Sequence, residues 1–157
     1  MSERHWSIRT LQASHAAIGL DANVLIYVIE ANEEHGPRAR AVIDAIDQGA
    51  IRASLATVGQ VEVLTGPARA GDAAAFELTA AAIRDVGLEL TPLSAAVAED
   101  AAWIRGQGGV ELADAIHLAS ARAAGATAFI TNDRGIKSRP GLEVLYLDDM
   151  VPGQPLP

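Results

Sequence analysis

The chain has 157 residues, 50% of them hydrophobic and 20% charged, which is the composition of one globular domain that buries its own core. It contains no cysteine, which excludes disulfides, thiolate zinc sites and cysteine nucleophiles and leaves oxygen or imidazole to hold any metal. A net charge of −8 argues against a broadly basic surface, and no apolar run approaches the roughly 18 residues of a membrane span. We therefore predict a cytoplasmic protein with no membrane partner.

The first half of the chain is predicted to alternate between short strands and amphipathic helices. Pro37 suits the first turn of a helix, and Gly49 stops the apolar pattern that follows it. Gly66 and Pro67 are expected to close a shorter helix. In chain order, the predicted elements are a loose leader 1–15, a strand 16–20, a helix 23–29, a helix from Pro37 to Gly49, a strand 51–55 and a helix 57–65.

The second half continues this alternation, with Ser94 as the cap of one helix. The predicted elements are a helix 73–86, a strand 88–93, a helix 94–105, a glycine-rich loop 106–109, a helix 111–124, strands 127–131 and 143–147, and a frayed tail 151–157. Short strands separated by helices indicate crossover connections. The sequence therefore predicts an α/β fold, with helices on both faces of a parallel sheet, in one domain over residues 16–150.

Two aspartates follow predicted strands directly or nearly so. Asp21 ends the apolar run 16–20, and Asp133 comes two residues after the strand that ends at Thr131. In an open parallel sheet the ligand crevice lies beyond the carboxyl ends of the strands, so both carboxylates are expected at that edge. An acid in this position is also a common helix N-cap, and for Asp21 alone the two interpretations are balanced. The presence of the pair favours a binding site.

Two further acids occupy helical positions where charge is unfavourable. Glu62 lies at the edge of a predicted apolar stripe, where the alternative is a solvated flank. Asp114 lies in a helix that is apolar nearly all round, and no lysine or arginine stands at helical spacing from it. A bound cation is then the simplest partner for Asp114, and oxygen ligands favour Mg²⁺ or Mn²⁺ over a structural zinc ion.

The four acids lie in four short motifs, LDANVLIY at 20–27, VEVL at 61–64, LADAIHLASA at 112–121 and ITND at 130–133. These motifs resemble those of the PIN-domain family and follow the family's order. The sequence is most similar to the VapC-type toxins of bacterial toxin–antitoxin pairs, over about residues 17 to 148. One aspartate motif is weak evidence, whereas four motifs in order form a specific pattern.

The resemblance implies a sheet of 3-2-1-4-5 order and a Mg²⁺-dependent endoribonuclease that also accepts Mn²⁺. Its expected partners are RNA, a small antitoxin and a second copy of the chain. The acids implied to hold the metal and to be catalytic are Asp21, Glu62, Asp114 and Asp133. The sequence departs from the family at Ala22, where a serine or threonine is usual, and this leaves open a PIN-like module that binds RNA or an antitoxin without cutting. An aspartyl-phosphate protein is disfavoured, because Asn23 stands where its second aspartate is required.

Neighbouring polar residues are candidates for supporting roles. Asn23 could hold a water or a phosphate oxygen, and Thr131 and Asn132 could support Asp133. Arg134 and Lys137 form a basic edge where a phosphate backbone could bind, although a solvated loop is the alternative.

His117, three residues after Asp114, could act as a general base, but a packed or surface histidine is favoured because metal-activated water makes a protein base dispensable. Trp6 and Trp103 are predicted to be packing residues.

Overall fold

The computed structural model describes residues 5–151, in which short strands and helices alternate. The strands are β1 Ala17–Leu20, β2 Arg52–Ala56, β3 Glu89–Thr91, β4 Ala128–Thr131 and β5 Glu143–Tyr146. The helices are α1 Ile8–Ser14, α2 Ala22–Ile29, α3 Gly36–Asp47, α4 Thr57–Arg69, α5 Ala73–Asp85, α6 Ala95–Gly106 and α7 Leu112–Ala123, with a 3₁₀ turn at Leu147–Asp149. Residues 1–4 of the predicted leader and 152–157 of the predicted tail lie outside the described residues.

The five strands are parallel and pair in the order β3-β2-β1-β4-β5, which confirms the predicted α/β class and the order 3-2-1-4-5. Strand β1 is central, and all its residues are buried because helices cover both faces of the sheet. Alternate residues of β4 serve the two faces: Ile130 packs in one hydrophobic cluster with Leu20, and Phe129 packs in the other. The enclosed central strands fix the position of the residues that follow them.

Helix α7 packs closely against β1. Gly19 makes this approach possible, because a Cβ atom at residue 19 would lie 2.5 Å from the Cβ atom of Ala121. Since α7 leads into the start of β4, it runs antiparallel to the strands, and its first turn lies at their carboxyl edge. Asp114 is in that first turn.

The loose leader predicted over residues 1–15 is corrected where the structure describes it, because residues 8–14 form helix α1. Ser7 and Thr10 form a capping box at its start, and Leu11 is only 1% exposed. The indole N–H of Trp6 donates to the backbone oxygen of Tyr146 at 2.8 Å, which ties the start of the chain to β5. Two signals in the sequence indicated this helix: the three-residue spacing of Ile8 and Leu11, and the cap residue Ser7. The polar composition of the segment obscured them.

Helix α4 is longer than predicted, since it continues past Gly66-Pro67 to Arg69. A proline in the last turns of a helix removes one hydrogen bond without preventing the next, and the backbone N–H of Ala70 still donates to the oxygen of Gly66 at 3.1 Å. The segment ends instead at Gly71, whose φ of 68° suits glycine. Strand β3 is shorter than predicted because Pro92, which follows it, has no N–H to donate.

No helix within residues 5–151 combines the length and the apolar character that crossing a membrane requires.

Candidate metal centre

The four predicted acids converge on the carboxyl edge of the sheet. Asp21 directly follows β1, and Asp133 follows β4, the neighbouring strand. Glu62 is carried by α4, which begins where β2 ends, and Asp114 lies in the first turn of α7. Their charges act on one another, because Asp21, Asp133 and Glu62 all contribute to raising the pKa of Asp114. All four carboxylates therefore lie near the carboxyl edge of the sheet, where the strand-end argument placed Asp21 and Asp133.

Asp21 is buried, and its carboxylate contacts both a neighbouring strand and the start of its own helix. It occupies the N-cap position of α2, as the helix-cap interpretation predicted, but within the described residues its side chain makes no capping hydrogen bond. Its Oδ2 accepts a hydrogen bond from the Thr131 hydroxyl at 2.7 Å, and the amide nitrogen of Asn23 lies 3.5 Å away. Burial raises the pKa of Asp21, and the charge of Glu62 adds to this, whereas His117 and Thr131 act in the opposite direction.

Asp114 is the acid most strongly perturbed toward its neutral form. Burial, followed by the charges of Asp21 and Asp133, raises its pKa from 3.8 to about 6, with His117 opposing and Glu62 adding to the shift. In the described part of the chain, no lysine or arginine forms an ion pair with Asp114. A carboxylate in this setting is stabilised by a cation bound nearby.

Glu62 is paired with His117, a residue that the sequence analysis favoured as packed or exposed. The Glu62 side chain is 41% exposed, whereas the His117 side chain is only 1% exposed, and His117 Nε2 lies 2.6 Å from Glu62 Oε1. The same nitrogen lies 3.8 Å from Asp21 Oδ1. Burial opposes the imidazolium, but the bond to Glu62 and the charges of Asp21 and Asp114 outweigh burial and raise the pKa of His117. The signal in the sequence was its three-residue spacing from Asp114.

Asp133 is exposed and is fixed in a local turn. Its Oδ1 accepts from the backbone N–H of Gly135 at 2.8 Å, and its own N–H donates to the Thr131 hydroxyl oxygen at 3.0 Å. Thr131 thus connects Asp133 with Asp21. Asn132 is directed elsewhere, because its Oδ1 accepts from the backbone N–H of Asp148 at 3.1 Å. Thr131 therefore contacts the acids directly, whereas Asn132 supports the loop that holds them.

The donor set fits a hard divalent cation in its chemistry. All four acids offer oxygen, and the side-chain oxygen of Asn23, beside Asp21, is buried with no hydrogen-bond partner among residues 5–151. Among residues 5–151, however, no group of three or more acid or histidine side chains is arranged to hold an ion as it stands. The carboxylates would therefore have to approach one another more closely to hold an ion.

The two predicted substrate cations differ in their surroundings. Arg134 donates two hydrogen bonds to Asp149, at 2.7 and 3.0 Å, and its guanidinium lies over the Tyr146 ring, 4.4 Å from the centroid. Lys137 is exposed and forms no ion pair within the described residues. The charge of Arg134 is thus already compensated, whereas that of Lys137 is available to an anion.

The two tryptophans also differ. Trp6 is buried, as predicted, whereas Trp103 is 72% exposed on α6, so its assignment as a packing residue was wrong. The buried face of α6 is made by Val97, Ala101 and Ile104, which leaves Trp103 to the side.

A parallel sheet of 3-2-1-4-5 order, with acids from its central strands and flanking helices at the carboxyl edge, defines a PIN-like α/β domain. The model of the PIN domain family matches residues 18–142, a range that includes all four acids and His117. The chain therefore belongs to the PIN domain family. No curated protein matches the chain in sequence.

Several solved structures share the fold at low sequence identity. VapBC2 from Rickettsia felis, bound to a DNA fragment from its promoter, is 18% identical with a TM-score of 0.64, covering 83% of this chain and 98% of that one. FitAcB from Neisseria gonorrhoeae is 20% identical with a TM-score of 0.60, covering 83% and 97%. VapC20 from Mycobacterium tuberculosis, described as a toxin that cleaves the sarcin–ricin loop, is 16% identical with a TM-score of 0.57, covering 71% and 86%.

Proposed function

We propose that this protein is a metal-dependent endoribonuclease and the toxin component of a toxin–antitoxin pair. The observation that carries the proposal is the placement of four carboxylates at the carboxyl edge of the sheet. Burial of Asp114, together with the charges of Asp21, Asp133 and Glu62, raises its pKa to about 6, as is common at functional sites. Family membership supports nuclease chemistry, and the RNA-cleaving VapC20 has the same fold.

The residues that would hold Mg²⁺ or Mn²⁺ are Asp21, Glu62, Asp114 and Asp133. A divalent ion held by these residues would supply a water activated for attack on phosphorus and stabilisation of the leaving oxygen. Water would add to phosphorus as the bond to the 3′ oxygen breaks, which leaves a 5′-phosphate on one product. The unpartnered oxygen of Asn23 offers an acceptor that can orient a water beside Asp21. Thr131 holds Asp21 and the turn at Asp133 in a fixed relation.

Substrate and partners follow from the same edge of the molecule. Lys137 is the better candidate for contact with a phosphate of the RNA, because Arg134 is already bonded to Asp149. Two exposed apolar residues are near the acids in the chain: Val61, 64% exposed, directly precedes Glu62, and Leu112, 57% exposed, lies two residues before Asp114. A small antitoxin that covers these residues would block the site.

We further propose that the protein is a homodimer and acts in the cytoplasm, where RNA and antitoxin are present.

The second candidate is a PIN-like module that binds RNA or an antitoxin without cutting. Ala22 favours it, since the hydroxyl usual at that position is absent. The Thr131 hydroxyl, however, already supplies Asp21 with a hydrogen bond from across the sheet. The absence of a hydroxyl at Ala22 therefore does not leave Asp21 without a hydrogen-bond donor. The nuclease proposal remains better supported than the non-cutting module.

A nuclease assay with end-labelled RNA separates the two candidates. Wild-type protein with Mg²⁺ or Mn²⁺ should cleave RNA internally and leave 5′-phosphates, and chelator should abolish cleavage. Asp114→Asn, which keeps the shape of the side chain and removes its charge, should lower the rate by at least about a hundredfold, as expected when a metal ligand is lost. Cleavage by Asp114→Asn at the wild-type rate, or cleavage in chelator, would contradict the proposal.

A further inference from the structure

We infer that His117 is a positioning residue that holds the Glu62 carboxylate in place for the divalent ion. The inference rests on the proposed function, because it assigns a role within the same site. Glu62 lies on α4 and His117 lies on α7. The hydrogen bond between His117 Nε2 and Glu62 Oε1 is 2.6 Å long.

The His117 ring is enclosed on several sides and cannot move readily. A Cβ atom at Gly59, in α4, would lie 3.0 Å from His117 Cε1, so glycine at this position makes room for the ring. The Phe129 ring lies on another side, with its centroid 6.2 Å from that of His117. Only 1% of the His117 side chain is exposed. The imidazole is therefore a fixed group.

The hydrogen-bonding partners of His117 also define its tautomer. Its Nδ1 is buried with no partner within the described residues, whereas its Nε2 faces Glu62 Oε1. A buried N–H without an acceptor is more unfavourable than a bare ring nitrogen, so the proton of a neutral ring belongs on Nε2. His117 then donates and Glu62 accepts.

Glu62 needs such a partner more than the other acids do. Its side chain is long and 41% exposed, and a free glutamate at the surface samples many rotamers. The bond from His117 uses Oε1 alone and leaves Oε2 available to an ion. Fixed orientation of a ligand by a hydrogen bond commonly changes metal affinity by about 10-fold to 100-fold.

Three substitutions separate the donated bond from simple packing. In His117→Gln, the amide nitrogen lies as many bonds from the backbone as Nε2 does, so it can still donate to Glu62. In His117→Asn the amide nitrogen stands at the Nδ1 position and falls short, and His117→Leu keeps bulk without a donor. Ser120→Ala is the control, because Ser120 is buried on the same helix and its hydroxyl has no partner within the described residues.

The readout is the Mn²⁺ dissociation constant of the full-length protein, measured by calorimetry and by the electron paramagnetic resonance signal of free Mn²⁺. Circular dichroism and melting curves check that each variant is folded. Affinity should fall about tenfold or more in His117→Asn and His117→Leu. It should stay near the wild-type value in His117→Gln and in Ser120→Ala.

A double substitution identifies the route of the effect. In a Glu62→Ala background, His117→Leu should change Mn²⁺ affinity no further, because the group that it positions is gone. An equal loss with and without Glu62 would overturn the inference, as would unchanged affinity in both His117→Leu and His117→Asn. Failure of the wild type to bind Mn²⁺ would instead overturn the proposed function, and this inference with it.

Discussion

At the carboxyl end of β4, one buried hydroxyl connects two of the acids. The Thr131 side chain donates to Asp21 and accepts from the backbone N–H of Asp133, and it is fully buried. Thr91, at the end of β3, is also buried, but its hydroxyl has no partner within the described residues. The two threonines therefore form a natural pair for measuring what these bonds contribute.

Replacing Thr131 with the similarly shaped valine should lower the free energy of unfolding by about 1–3 kcal/mol, because the Asp133 N–H and Asp21 each lose a partner. Thr91→Val should leave stability unchanged or raise it, since no bond is lost. Urea unfolding followed by circular dichroism measures both variants. Equal effects would mean that the bonds of Thr131 contribute nothing beyond packing.

Asp114 gives the metal-free protein a pH dependence of defined sign. Its pKa rises from 3.8 to about 6 on folding, chiefly through burial and then through the charges of Asp21 and Asp133. The stability contributed by its neutral form is complete below pH 3.8 and is lost as the pH rises through about 6. In chelator, the difference in unfolding free energy between Asp114→Asn and wild type should grow in favour of the variant across this window. A pH-independent difference would contradict the shift.

At the scale of elements, α1 and α4 show how local composition misleads. The polar start of the chain hides a capped helix whose inward side chain, Leu11, is almost completely buried. The glycine–proline pair in α4 indicates a helix end, yet the helix continues for one more turn. In both cases the packing of neighbouring elements determines whether the segment is helical, because a short helix gains most of its stability from the surface against which it lies.

The packing of α1 can be tested with a matched pair of leucines. Leu11→Ala should destabilise the protein by about 2–5 kcal/mol, because a fully buried leucine leaves a cavity. Leu78→Ala, at a position 72% exposed on α5, should change stability by less than about 0.5 kcal/mol. Thermal and urea unfolding report both variants. A small effect of Leu11→Ala would show that α1 detaches from the core easily.

At the scale of the whole molecule, the net charge of −8 is concentrated partly in one crevice, so stability and ion binding are coupled. The unfolded chain has no arrangement that brings the four acids together. An ion that binds only the folded protein therefore stabilises it.

Saturating Mn²⁺ should stabilise the wild type by about 2.7 kcal/mol at a hundredfold excess over the dissociation constant. Asp133→Asn keeps the oxygen that accepts from Gly135 and removes the charge that acts on Asp114. It should therefore be more stable than wild type in chelator and gain little from Mn²⁺. Melting curves of the wild type and of Asp133→Asn, each recorded in chelator and in Mn²⁺, give the four stabilities to be compared. A wild type indifferent to Mn²⁺ would remove the physical basis for a metal site.

The sequence by itself determined the α/β class and the carboxyl-edge position of Asp21 and Asp133, because strand and helix periodicity and the residue that follows each strand are local properties. It also provided four acidic motifs in the order of the PIN-domain family, and this resemblance predicted the order of the strands in the sheet.

The tertiary structure decided the partners of these acids. Thr131 reaches Asp21 only because β1 and β4 are neighbours. Arg134 is paired by Asp149, and His117 reaches Glu62 through the space left by Gly59. Such contacts join residues distant in the chain, and their geometry depends on how whole elements pack.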